Sequence, residues 1–183
     1  QIPGASTYIS DFISGDGGNC SVVDMSAAYA KNAKSVKRAA VLYDDRSKMM
    51  IQDEVVAEKP TDVYWVLQTQ MQDITVALDG KSLVISDGNS LASGKRLKLI
   101  LQSNCRDAKF SYGPAEPLPQ SPKGAGQASN TGACRIQVKS PNVTNLNMQV
   151  IFVPYLNAEG KVEPDLPALK SIQELTENKN IDF

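Results

Sequence analysis

Along most of this chain apolar and polar residues alternate, the period of a strand with one face buried. "TYISDFIS" and "CSVVDMS" alternate in this way and are separated by "GDGGN", a glycine-rich turn. "SAAYAKNAK" breaks the pattern, and Ser26 there is a candidate cap for one short helical turn. "SVKRAAVLY" and "KMMIQDEVV" are two β-rich runs joined by "DDRS". "TDVYWVLQTQ" is almost continuously apolar or aromatic, which predicts a strand covered on both faces. "ITVAL" and "KSLVIS" flank Asp79-Gly80, a pair suited to a type I′ hairpin turn, whose central residues both need positive φ. "KRLKLILQS", "AKFSYG", "CRIQVKS" and "NMQVIFVPY" complete the set.

Many short strands with turn signals roughly every 8–12 residues predict an all-β fold, an antiparallel β-sandwich in a single domain over 1–183. Two further segments depart from the strand pattern. The run "GPAEPLPQSPKGAGQASNTG" carries too much proline and glycine for a strand or helix, which predicts a long surface loop over 113–132. The run "DLPALKSIQELTEN" places Leu166, Leu169, Ile172 and Leu175 at three-residue steps, which predicts a short amphipathic helix over 165–178.

At 183 residues, 42% hydrophobic and 21% charged, the chain can bury a core without a metal or disulfide staple. Its net charge of -1 gives no reason to expect nucleic acid or an anionic membrane as partner. No apolar run approaches the roughly 20 residues of a membrane span, so no membrane insertion is expected. The chain begins at Gln1, so any signal peptide has been removed or lies outside it. Of the three cysteines, Cys20, Cys105 and Cys134, the pair Cys105–Cys134 is a candidate disulfide. Histidine is absent, which excludes His-based triads, His-ligated zinc and imidazole proton shuttles in this chain.

The stretch "YDDRSKMMIQDEVV" concentrates four carboxylates: Asp44, Asp45, Asp53 and Glu54. As a hairpin, it puts Asp44 and Asp45 at the turn, where a short acidic side chain bonds the turn backbone. Asp53 and Glu54 are consecutive on a strand and point to opposite faces. They cannot share a substrate or metal, so no metal site and no paired-carboxylate catalysis is expected here. Asp53 lies on the face of Met49, Ile51 and Val55, where a carboxylate needs a partner. A four-residue turn pairs residue 43 with 48 and so puts Arg38 opposite Asp53. The expectation is an Arg38–Asp53 ion pair with a structural role.

These same segments carry a resemblance. "SVVDMSAAY", "VKRAAVLYDDRSKMMIQDEVV" and "DVYWVLQT" follow one another in the order and spacing of a recurring stretch in the heparinase II/III-like polysaccharide lyases. The matching positions are Asp24, Tyr29, Arg38, Asp45, Asp53, Glu54 and Trp65, within roughly residues 20–70. The resemblance implies a fragment of an enzyme that cleaves acidic polysaccharides by β-elimination. In that family a helical α/α toroid domain carries most of the machinery, including an Asn and a Tyr, and a C-terminal β-sandwich closes the cleft. This chain resembles much of that sandwich, supersandwich-like, without the toroid. Gln1 matches a point inside the family's β-domain, so the first strands are expected to be missing. The His that some members carry in the sandwich has no counterpart. The resemblance therefore transfers no catalytic residue and no cofactor, and it implies a periplasmic or extracellular bacterial location.

Sugar rings stack on aromatics, so Trp65, Tyr29, Tyr43 and Tyr112 are the candidate substrate-binding residues, with Tyr155 also at an element end. Against this, Trp65 lies in the most apolar run, which favours a place in the core over a sugar platform. Lys95, Arg96, Lys98, Lys109 and Lys123 form a loosely basic region that would suit an acidic polymer or protect edge strands. "GDGGN" and "SDGNS" lack the spacing of phosphate or calcium loops and read as turns. Asn19 and Asn142 head glycosylation sequons. Three functions are then open. They are a non-catalytic lyase sandwich, a free-standing secreted glycan-binding or adhesive module, and a Tyr-based lyase complete in this chain.

Overall fold

The computed structural model describes residues 1–70, 73–86, 94–117, 126, 130–156 and 165–177. These form one antiparallel sheet of nine strands and two short helices. In chain order they are β1 (Tyr8–Ser14), β2 (Asn19–Asp24), α1 (Ser26–Tyr29), β3 (Ala33–Tyr43) and β4 (Lys48–Gln70). Then follow β5 (Asp73–Val76), β6 (Ser82–Ser86), β7 (Lys95–Ser103), β8 (Lys109–Pro114), β9 (Ala133–Leu156) and α2 (Ile172–Glu177). The lateral order is β1-β2-β3-β4-β9-β7-β6-β5, with β8 also on β9.

The sandwich arises by bending this one sheet. β4 and β9 pair along their whole length, with register shifts between Val56 and Thr61 and between Thr61 and Val63. Pro60 on one strand and Pro141 on the other lie at this break, and neither has an N–H to give to a ladder. Asn142, at φ 54, takes a left-handed turn, and Asp62 Oδ1 accepts its N–H at 3.0 Å. The runs read separately as "KMMIQDEVV" and "TDVYWVLQTQ" are therefore two halves of one strand, as are "CRIQVKS" and "NMQVIFVPY". The far halves, with β8, fold over the near halves, and Trp65 meets Phe152 with ring centroids 6.2 Å apart. Between the layers Trp65, Phe110, Ile136 and Val138 pack against Val36, Val55, Leu99 and Val150.

A second core lies on the opposite face of the main sheet, where Cys20, Val41, Tyr43, Met50 and Ile151 receive Ile172 and Leu175 of α2. The expected helix over 165–178 is shortened to Ile172–Glu177; Asn178 lies outside the described residues. Residues 165–171 stay outside the helix, and the sheet takes the Pro167 and Lys170 carbonyls. Gln149 Nε2 donates to Pro167 O at 3.1 Å, and Asn147 Nδ2 and Gln52 Nε2 donate to Lys170 O at 2.9 and 2.5 Å. The helix then starts at a capping box. Glu174 N donates to Ser171 Oγ at 3.2 Å, and Ser171 N to Glu174 Oε2 at 2.7 Å.

Several local expectations change. The "DG" hairpin forms, but only Gly80 has positive φ (71°), and Gly80 N donates to Ala77 O, so the turn is not type I′. Ser26 makes no cap; it is the first helical residue, its N–H goes to Asp24 Oδ1 at 2.8 Å, and its hydroxyl accepts from Val36 N. The "TDVYWVLQTQ" segment has one solvent face, since Val66 is 41% exposed. The expected loop over 113–132 gives up Gly113 and Pro114 to β8, and Ala115 is buried; 118–125 and 127–129 lie outside the described residues. All three cysteines are free, so Cys105–Cys134 is not a disulfide. The "DDRS" turn holds Asp44, Asp45 and Arg46 all at positive φ, near 50–65°. Arg46 steadies it by donating to Gly15 O and Asp16 O, both at 2.8 Å, which ties the two neighbouring turns together.

Candidate functional site

The four-residue turn sets the register Tyr43↔Lys48, and five residues back along each strand Arg38 stands opposite Asp53. Arg38 Nε donates to Asp53 Oδ1 at 2.6 Å and Nη2 to Oδ2 at 2.7 Å, a two-pronged ion pair. The carboxylate side chain is 10% exposed and the guanidinium side chain 38%. The hydrogen bonds that Arg38 donates to Asp53, first, and the negative charge of Asp53 hold Arg38 above the usual arginine range, against the opposing effect of burial. A guanidinium has five N–H donors. Two are used on Asp53, and the others have no acceptor among the described residues.

Those unused donors face a cavity of about 360 Å³ at the fold-over of β4. Its apolar floor comes from Met25, Val36, Val55 and Val63. Its polar wall comes from Tyr29, Asn32, Arg38, Asp53, Thr61 and Asp62, and Tyr64 adds a second aromatic ring. The Asp24 and Ser26 bonds described above fix α1 against β3 and so present Tyr29, whose hydroxyl accepts from Gln1 Nε2 at 2.8 Å. The Ser26 hydrogen bonds hold the Asp24 carboxyl below the usual range. Asp62 is paired with Lys139 at 2.8 Å. That bond first, and the Asn142 N–H second, hold its carboxyl below the usual range. Lys139 Nζ also lies 5.8 Å from the centre of the Tyr64 ring. The site thus offers donors and acceptors around an apolar floor, an arrangement that can hold a polar molecule with a hydrophobic face.

Of the four candidate sugar contacts, the fold brings only Tyr29 to this cavity. Trp65 is 3% exposed between the layers, so it has no face for a sugar. Tyr43 is 3% exposed and packs in the second core, on the other side of the sheet from Arg38. Burial, then the neighbouring Asp44 charge, push its phenol up to about 12. Tyr112 is 53% exposed, but on β8 in the overlying layer. Tyr155 is half-buried on β9 opposite Arg96. Glu54 faces α2 and accepts Ile172 N at 2.7 Å, so Asp53 and Glu54 serve opposite faces. Asp44 pairs with Lys48 at 2.8 Å, and Asp45 is exposed at the turn. The basic region is dispersed: Lys95, Arg96 and Lys98 lie on β7, an interior strand between β9 and β6, and Lys109 lies on β8. Lys123 lies outside the described residues.

Asn32, Thr61, Asp62 and Tyr64 were not legible as site residues. The one available signal was "KPTD", where a proline inside a β-rich run marks the bend that faces three of them toward Arg38. Among the described residues, no group of three or more His, Cys, Asp or Glu could hold a metal ion. No helix among them is long and apolar enough to cross a membrane.

No protein-family model matches the chain, and no curated protein matches it. Solved structures do. A structure described as "Heparinase III-BT4657 gene product" matches at a TM-score of 0.62 and 11% identity, over 85% of this chain and 22% of that one. The same protein with methylated lysines matches with identical values. "Crystal Structure Analysis of HI1317" matches at a TM-score of 0.47 and 9% identity, over 81% of this chain and 65% of that one. At these identities the likeness is one of fold, to a β-rich region of heparinase III. This chain spans only 22% of the heparinase III chain it matches.

Proposed function

We propose that this chain is the β-sandwich domain of a heparinase II/III-like lyase acting on acidic polysaccharides, and that it supports or closes the glycan cleft beside a helical toroid domain. The fold likeness to heparinase III carries this reading. It takes in most of this chain but a domain-sized minority of the other. The ordered set from Asp24 to Trp65 supports it from the sequence side. On this reading the chain acts in the periplasm or outside the cell, where a bacterial lyase meets polymeric substrate.

Two measurements test the proposal. The chain by itself, offered heparan sulfate, hyaluronan or alginate, should produce no unsaturated product absorbing in the ultraviolet. Turnover that vanishes on Tyr29→Phe would put the chemistry in this chain and overturn the non-catalytic reading. The reading frame that encodes the chain should continue upstream into a long helical domain. A frame without one would leave a free-standing glycan-binding module in its place.

A further inference from the structure

We infer that the Arg38 cavity binds an uncharged sugar ring, and that it discriminates against the uronate or sulfate groups that make such polysaccharides acidic. The first ground is charge. The charged side chains lining the cavity are one cation, Arg38, and two carboxylates, Asp53 and Asp62. Arg38 is already matched by Asp53, and Asp62 is matched from outside the cavity by Lys139. Among the lining side chains no unmatched positive charge is left to receive an anion. A carboxylate or sulfate entering here would lose water and meet two carboxylates, at a cost in free energy.

The second ground is the hydrogen-bonding pattern. The ion pair presents unused guanidinium N–H groups beside carboxylate oxygens that have lone pairs to spare. Adjacent hydroxyls of a sugar, each both donor and acceptor, fit such a pair. Asn32, Thr61 and the Tyr29 hydroxyl add neutral partners. The third ground is shape. Val36, Val55 and Val63 supply an apolar floor for the C–H face of a ring, and the aromatic rings of Tyr29 and Tyr64 flank it. The volume, about 360 Å³, falls within the range of small-ligand pockets. In a polymer of alternating units, the cavity would take the uncharged unit and leave the acidic one outside.

This inference rests on the glycan reading above but not on the lyase parentage. A reading frame lacking a helical domain would remove the parentage and leave the sugar test intact. The test is a titration of the intact chain with N-acetylglucosamine and, separately, with glucuronate, followed by methyl NMR. N-acetylglucosamine should shift the Val36, Val55 and Val63 methyl resonances saturably, and glucuronate should bind about tenfold or more weakly. Asn32→Ala and Tyr29→Phe, with unchanged circular dichroism, should weaken the sugar several-fold, while Tyr112→Phe should not. Glucuronate binding as tightly as the neutral sugar would overturn the inference. So would the absence of saturable shifts at these methyls.

Discussion

Replacing Asp53 with Ala isolates the contribution of the ion pair. The change removes both prongs of the Arg38 fork, at 2.6 and 2.7 Å, and leaves the guanidinium beside Val36 and Val55. If Arg38 were fully buried, stranding its charge would cost about 3–5 kcal/mol; if the pair were fully exposed, the loss would be about 0–1 kcal/mol. The observed geometry lies between these limits. Asp53 is the buried partner at 10% exposure, whereas Arg38 at 38% can be rehydrated through the cavity. We expect a loss of about 2 kcal/mol, which at this chain length lowers the melting temperature by about 4–8 °C. Trp65 is the sole tryptophan and is 3% exposed, so its emission reports unfolding in urea directly. With a slope of about 2 kcal/mol per molar urea, the midpoint should fall by about 1 M. Converting both partners, as Arg38→Met with Asp53→Leu, removes the charge along with its mate and should lose less than Asp53→Ala alone. Two results would refute the reasoning: a loss below about 0.5 kcal/mol for Asp53→Ala, the level of an ordinary surface change, or a double variant at least as unstable as the single one.

Three further outcomes are expected. A Cβ on Gly18 would sit 2.1 Å from the Leu42 carbonyl oxygen, so Gly18→Ala should force β2 away from β3 and cost about 2–3 kcal/mol in urea unfolding. Ser171→Ala removes the cap of α2 and should cost about 1 kcal/mol, with Ser171→Asp recovering most of it in thermal melts. Burial, then the Asp44 charge, push the Tyr43 phenol up to about 12, above the usual tyrosine value of about 10. The unfolded chain therefore loses this proton first, and the associated stability is full below about pH 10 and lost as pH rises from 10 to 12. Urea midpoints measured up to pH 11 should fall in the parent chain, and Tyr43→Phe should remove part of that fall.

The features that the sequence determined are those with local causes. Alternation fixed which runs become strands. The four-residue turn "DDRS" fixed the register that sets Arg38 against Asp53, because counting outward from a turn needs no knowledge of distant packing. The same alternation separated Asp53 from Glu54, so the acidic cluster could be set aside as a shared site. The S-x-x-E box at Ser171–Glu174 was also present to be read, and it marks the true helix start better than the leucine spacing does. Tertiary structure decided what distant residues do to one another. Trp65 pairs with Val138 on β9 and packs on Phe152, and no local pattern joins residues so far apart in the chain. That fold-over buried Trp65 and created the cavity. Tyr43, although at a strand end, was enclosed because α2 closes over the opposite face of the sheet. Residues 165–171 stayed outside the helix because the side-chain amides of Gln149, Asn147 and Gln52 compete for carbonyls that a longer helix would have used itself. Each of these outcomes depends on long-range pairing, whose free energy resides in contacts between layers rather than in the propensities of neighbouring residues.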